Sequence, residues 1–192
     1  MDMHIRNRLA ALVVLALMSL EACATYVPPA PVPRESFSRD LNASYDRTWS
    51  AITYVAGASF FKIKAFEKAS GLMTLDFELR DVLPYVDCGS AQNSTTHQTT
   101  PALLALGFIM VSLQGTANIT IRSEGRRTAI QFNSQYTLDG FRRGPYGELI
   151  KAAEWRFTSG SPDAQNVLGT LVTCRSSYKI EGDFLSEVSA RL

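Results

Sequence analysis

Two periodicities alternate along the chain. From Ser44 onward, Tyr45, Trp49, Ile52, Val55 and Ala56 recur at three- and four-residue intervals, with Asp46, Arg47, Ser50 and Thr53 on the other faces. That is the pattern of a helix burying one stripe, and it predicts Trp49 in the core rather than in a ligand platform. Ser44 or Asn42 is placed to cap its start, and Gly57 lies near its end. A short first strand is expected within Ser36 to Ala43. Beyond Gly57 the period changes to two. Phe61, Ile63 and Ala65 alternate with Lys62 and Lys64; after the turn Lys68–Gly71, Met73, Leu75, Phe77 and Leu79 alternate with Thr74, Asp76, Glu78 and Arg80. The expectation is a hairpin with one wet face, on which lysines and acids stand opposite one another.

The next stretch breaks the alternation. Asp87 to Pro101 is polar and rich in Ser and Thr, and reads as a surface loop. Ala102 to Leu113 is apolar but too short to span a bilayer. Two readings fit it: a buried segment of the core, or a hydrophobic flap offering Leu103, Leu104, Leu106, Phe108, Ile109 and Met110 to lipid, an apolar ligand or a partner. Alternation then resumes at Ala117, Ile119 and Ile121, turns at Glu124–Arg126, and continues through Ile130, Phe132, Tyr136 and Leu138. After a Gly/Pro loop at Asp139–Glu148 come Trp155 and Phe157; Ser159 to Gly169 reads as loop; Leu185, Val188 and Leu192, beside Phe184, predict a final helix within Tyr178–Leu192. The expected order is β-α-β-β, an insertion around residues 80–116, β-β-β and α. This is an α+β fold, an antiparallel sheet with one early and one C-terminal helix packed on one face.

The N-terminus carries a different signal. Arg6 and Arg8 precede a twelve-residue apolar run, Leu9–Leu20, within the ~7–15 residues of a signal-peptide core and short of a membrane span. Leu20-Glu21-Ala22-Cys23 follows, and it resembles the lipobox of bacterial lipoproteins. By that resemblance Leu20 is the apolar −3 position, Ala22 the small −1 position, and Cys23 the residue that receives diacylglycerol before cleavage ahead of it. Glu21 departs from the small or uncharged residue usual at −2. Ala22-Cys23-Ala24 also fits ordinary signal peptidase, which would release a soluble periplasmic chain beginning at Thr25. Under the lipoprotein reading, Ala24 in place of aspartate implies the periplasmic face of the outer membrane. Tyr26–Glu35 holds half of the chain's eight prolines, so an extended spacer of roughly 30 Å is expected. The resulting division is signal peptide 1–22, lipidated N-terminus and Pro-rich linker 23–35, and a periplasmic α+β domain 36–192.

Composition narrows the function. A net charge of +1 excludes a general nucleic-acid binder, which needs a basic excess. With Cys23 modified or removed, Cys88 and Cys174 remain as an even pair. In an oxidising compartment they read as one disulfide closing a loop of about 87 residues, the alternative being two buried thiols. No metal-ligand spacing and no phosphate or dinucleotide fingerprint is present, so neither a metal nor a cofactor is expected. His97, inside the Ser/Thr-rich stretch, lacks the partners of a nucleophile site and reads as solvated. Asp76, Glu78, Asp81 and Asp87 are the carboxylates that a cell-wall hydrolase would draw on, and each equally suits a wet strand face or loop. Arg126-Arg127 and Arg142-Arg143 fall in predicted turns, where exposed charge is the default.

A wider resemblance rests on Trp49 in the early helix, the stretch FFKIKAFEKASGLMTLDF, and a late cysteine ahead of a terminal helix. Together they look like small Gram-negative lipoprotein domains. The β-α-β-β start and final helix are similar to the helix-grip modules found in a lipoprotein component of the outer-membrane β-barrel assembly machinery. The resemblance implies a scaffold or binder rather than an enzyme, with the membrane engaged through the N-terminal lipid and an envelope protein as partner. The alternatives are a periplasmic carrier or sensor of an apolar ligand and, third, a carboxylate-based cell-wall hydrolase.

Overall fold

The structure, a computed structural model, describes residues 24–31, 37–94 and 96–192. The expected α+β fold is present. In chain order the elements are β1 (Ala24–Val27), β2 (Ser38–Leu41), α1 (Tyr45–Ala58), β3 (Lys62–Glu67), β4 (Leu72–Leu79), β5 (Val86–Asp87), β6 (Ser90–Asn93), β7 (Thr99–Pro101) and α2 (Ala102–Ala105). They continue as β8 (Met110–Glu124), β9 (Arg127–Arg143), β10 (Leu149–Thr158), β11 (Asp163–Val167), β12 (Thr170–Ser176) and α3 (Lys179–Ala190). The main antiparallel sheet has the order β10-β9-β8-β4-β3. Strand β8 pairs with β9 from Met110↔Phe141 to Glu124↔Arg127. The other edge of β9 is shared by β2, at Thr128–Gln131, and β10, at Gln135–Arg143.

The period-two residues of β4, β8, β9 and β10 point to one face, as their spacing predicts. Met73, Leu75, Phe77, Ala117, Ile119, Ile121, Ile130, Phe132, Tyr136, Leu138, Trp155 and Phe157 are all buried. Helices α1 and α3 cover that face with Trp49, Ile52 and Val55 and with Ile180, Phe184, Leu185 and Val188. Phe184 stands 5.0 Å from the Phe132 ring and 5.6 Å from Phe61. Each such large side chain taken from water contributes about 1.5–3 kcal/mol. Ser44 caps α1 by accepting the Arg47 N–H at 3.5 Å.

Four sequence expectations are corrected. Alternation in β3 does not bury Ile63 or Ala65: it is an edge strand, exposed throughout, with a bulge between those two residues. Asp87–Pro101 is not only a loop, because β6 and β7 pair within it and β1 joins them in a three-stranded sheet. Ser159–Gly169 contains β11, which forms a hairpin with β12. Strand β9 runs on to Arg143 and shortens the predicted Gly/Pro loop.

The segment expected as a spacer differs as well. Tyr26 and Val27, expected at the start of a free spacer, lie in β1, which ends where Pro28 removes the next amide donor. The Tyr26 hydroxyl accepts the Thr173 N–H at 2.9 Å, and its single proton faces the carbonyls of Cys88 and Thr173 at 3.2 and 3.3 Å. Beside it, Cys88 and Cys174 form a disulfide. Closing a chain loop of that length restricts the unfolded state by about 4–5 kcal/mol in chain-entropy terms. Leu20, Ala22 and Cys23, with the rest of residues 1–23 and residues 32–36, lie outside the described residues.

One buried charge fastens α3 to the sheet. Glu181, in the first turn of the helix, is fully buried. Its Oε1 accepts the Tyr136 hydroxyl at 2.5 Å and the Ser159 hydroxyl at 2.7 Å. Ser176 donates to the Tyr136 oxygen at 3.2 Å and accepts the Tyr178 N–H at 2.9 Å. The positive end of the helix dipole favours the carboxylate there. Burial, and then the adjacent Glu181 charge, hold the Tyr136 hydroxyl protonated well above the usual tyrosine range. A raised folded pKa means that this contribution is complete below the unfolded tyrosine pKa of about 10 and is lost as pH rises beyond it. We predict that unfolding free energy declines above pH ~10 by up to about 1.4 kcal/mol per pH unit from this group. In urea titrations at stepped pH, Tyr136→Phe should be about 1–3 kcal/mol less stable at neutral pH and show a shallower alkaline decline. Identical alkaline slopes in the two proteins would contradict the assignment.

Candidate contact surface

The apolar run Ala102–Leu113 does not lie on one side of the boundary between core and solvent. Pro101 delivers the chain into α2, which places Ala102 and Leu103 inward and Leu104 outward. The helix stops after one turn because Gly107, at φ +74°, adopts the left-handed conformation. Its N–H meets the Leu104 carbonyl, and the Phe108 N–H meets that of Leu103, the closing pair of bonds common at helix ends. The chain then joins the main sheet at Met110. Of the six residues expected to form a contact, Leu103 and Phe108 are 2% and 5% exposed and belong to the core. Leu106 is partly buried against the core. Leu104, Ile109 and Met110 are 52%, 54% and 42% exposed.

Three contacts hold this flap in place. The Phe108 ring lies over Gly140 of β9, so closely that a Cβ at that glycine would sit 2.6 Å from the ring. Trp155 meets the ring edge-on at 5.8 Å, with its indole N–H donating to the Val172 carbonyl at 3.0 Å. Arg142 stacks its guanidinium 4.7 Å from the Phe108 centroid and donates to the Leu106 carbonyl at 2.7 Å. The expectation that Arg142 is an exposed turn charge is therefore corrected: it clamps the flap.

With the flap fixed, its outward residues border a cleft of about 500 Å³. Leu103, Leu104, Phe108, Ile109, Met110 and Leu83 supply the apolar lining, and Glu78, Arg80 and Asp81 stand at the polar margin. Leu83 is itself 43% exposed. Sequence reading missed it, because one leucine between a valine and a proline carries no periodic signal. The other face of the sheet is polar. Lys62, Lys64, Asp76, Glu78, Thr116 and Gln135 border a shallow depression there. Lys64 lies 3.5 Å from Asp76, the cross-strand pairing expected of the hairpin, and Thr116 donates to Asp76 at 2.7 Å.

The four candidate carboxylates are not assembled into one site. Asp76, engaged by Lys64 and Thr116, shares the wet-face depression with Glu78, which also borders the flap cleft beside Asp81. Asp87 borders a different cavity and accepts the Gly89 N–H at 2.8 Å. His97 is exposed in the β6–β7 turn at φ +54°. At the β9–β10 edge, Lys151 bridges Asp139 and Glu154. The Asp139 hydrogen bond holds the Lys151 ammonium above its ordinary range, while Lys151 holds Glu154 below its own. No group of three or more His, Cys, Asp or Glu side chains is placed to hold a metal among the described residues. No protein-family model matches the chain, and no curated protein is significantly similar to it.

The seating of Phe108 on Gly140 gives a direct prediction. Gly140→Ala should displace the ring and destabilise the domain by about 1–3 kcal/mol. Gly57→Ala, in α1 with nothing within 4 Å of the added methyl, should be neutral or stabilising by up to ~1 kcal/mol. Urea midpoints measure both; equal effects at the two sites would show that the flap is not held by this contact.

Proposed function

We propose that the protein is a non-catalytic, membrane-anchored envelope lipoprotein whose domain binds another envelope protein through the flap cleft. The observation that carries the binding role is the half-exposure of Leu83, Leu104, Ile109 and Met110 around one cleft, bordered by a flap that Ala102, Leu103 and Phe108 anchor in the core. Leaving four large apolar side chains together in water is unfavourable by about 25 cal/mol per Å² of surface, and such grouped exposure marks contact sites. Glu78, Arg80 and Asp81 beside them suit a partner that presents apolar side chains ringed by charges of both signs.

The anchor rests on the lipobox-like Leu20-Glu21-Ala22-Cys23. The described fold adds one argument for it. Cleavage before Cys23 leaves all of β1 on the domain, whereas cleavage before Thr25 removes the residue paired with Asn93. No helix among the described residues is long and apolar enough to cross a membrane, so on this reading attachment comes from the lipid.

A second reading, a carrier of an apolar ligand, draws on the same cleft, whose volume falls within the ~300–1,000 Å³ of small-molecule sites. The space beside α1 and α3 favours it less, since the gap lined by Val55, Phe60, Phe61 and Phe184 is only about 60 Å³. A photo-crosslinking residue placed at Ile109 should give a discrete protein adduct in intact envelopes. The same residue at Lys62, on the polar face, should give none. Adducts to lipid alone from position 109, or native mass spectra showing a stoichiometric apolar molecule that Met110→Asp expels, would replace the protein-binding reading with the carrier.

A further inference from the structure

Strand β1 removes the slack between the domain and whatever Cys23 carries. Ala24 pairs with Asn93, Thr25 with Gln92, Tyr26 with Ala91 and Val27 with Ser90. The Tyr26 hydroxyl adds its bonds to the backbone of Cys88 and Thr173, beside the disulfide. At the other end of the strand, Gly89 at φ +76° lets the chains approach so closely that a Cβ there would sit 2.2 Å from the Val27 carbonyl oxygen. Cys23 is bonded directly to Ala24, and consecutive Cα atoms are only about 3.8 Å apart. A thioether-linked glycerol on Cys23 would therefore lie within roughly 10 Å of Ala24. The proline-rich segment follows β1 in the chain, so its length adds nothing to the distance between lipid and domain.

We propose that the β6–β7 turn is the bilayer-proximal end of the domain and rests on lipid headgroups, with the flap cleft held at the opposite end. This rests on the reading of Cys23 as lipidated. The register sets the direction. Ala24 lies beside Asn93, at the turn, whereas Val27 lies beside Ser90, which also pairs with Pro101 at the entrance to the flap. Three residues of strand, about 10 Å, separate the two ends. The turn is chemically suited to the place. Ser94, Thr96, His97 and Gln98 are exposed, include no carboxylate, lysine or arginine, and offer hydrogen-bonding groups to phosphate and glycerol oxygens. The contact is thus a polar one that does not require an anionic lipid.

The test uses full-length lipidated protein, its N-terminal mass verified, in phosphatidylcholine vesicles containing a headgroup-nitroxide phosphatidylcholine. Single tryptophans are introduced by Thr96→Trp or Leu104→Trp; the native Trp49 and Trp155 are buried and give a constant background. We expect emission from position 96 to be quenched about twofold or more relative to position 104, because a nitroxide confined to the thin headgroup layer reaches only nearby rings. Tyr26→Ala, which frees β1, should reduce that difference while the lipid stays attached. Equal quenching, stronger quenching at position 104, or none at either site on a protein shown to be diacylated would overturn the orientation alone. A mass lacking the lipid would overturn the anchor, and the orientation with it.

Discussion

Strand β9 sets the constraint on which the other elements depend. Over Arg127–Arg143 every backbone donor and acceptor taken from water needs a partner, and the chain supplies them on both edges: β8 on one, β2 and β10 on the other. Its inward residues Ile130, Phe132, Tyr136 and Leu138 form the floor on which α1 and α3 pack. Its last residues include Gly140 and Arg142, which seat the flap. The same strand therefore shapes the core and determines which part of the apolar run 102–113 is left in solvent.

The segments beyond this sheet are tied back by a few strong contacts rather than by area. The Cys88–Cys174 disulfide joins the insertion to β12. Tyr26 locks the N-terminal strand to the same two segments. Glu181 joins α3 to β9 through Tyr136 and to the end of β10 through Ser159. A buried carboxylate is costly unless hydrogen-bonded, and its two short bonds make the position of α3 specific. Insertion, N-terminus and C-terminal helix are in this way fixed relative to one another. The contact surface proposed on the flap would then start from an ordered state and lose less entropy on docking.

What could be read in the sequence was the part governed by period. Strands with one dry face, Met73–Leu79 and Ile130–Leu138, and the stripe of α1 follow directly from alternation, as does the α+β class. The pairing of β1, β6 and β7 was hidden because those strands are too short to show a period, and β6 and β7 are polar; backbone pairing holds them together, with the Tyr26 hydroxyl adding its bonds to Cys88 and Thr173. The β11–β12 hairpin was hidden by its Asp, Asn and Gly residues, which read as turn. Glu181 was invisible because a glutamate in a helix is by default solvated. Its partners Tyr136 and Ser159 lie 45 and 22 residues away. The apolar run was legible as a feature but not in its division, since that depends on Gly107 ending the helix and on the distant Gly140 and Arg142 seating Phe108 and Leu106.

The proposed lipid on Cys23 sits one residue ahead of the first described strand, so the mature N-terminus is the place to test it. Intact and proteolytic mass spectrometry should be run on protein purified from envelopes, comparing wild type with Cys23→Ser. The expected result is a mature chain that starts at Cys23 and carries a diacylglyceryl mass, absent from the variant. A chain that starts at Thr25 without lipid in both proteins would contradict it.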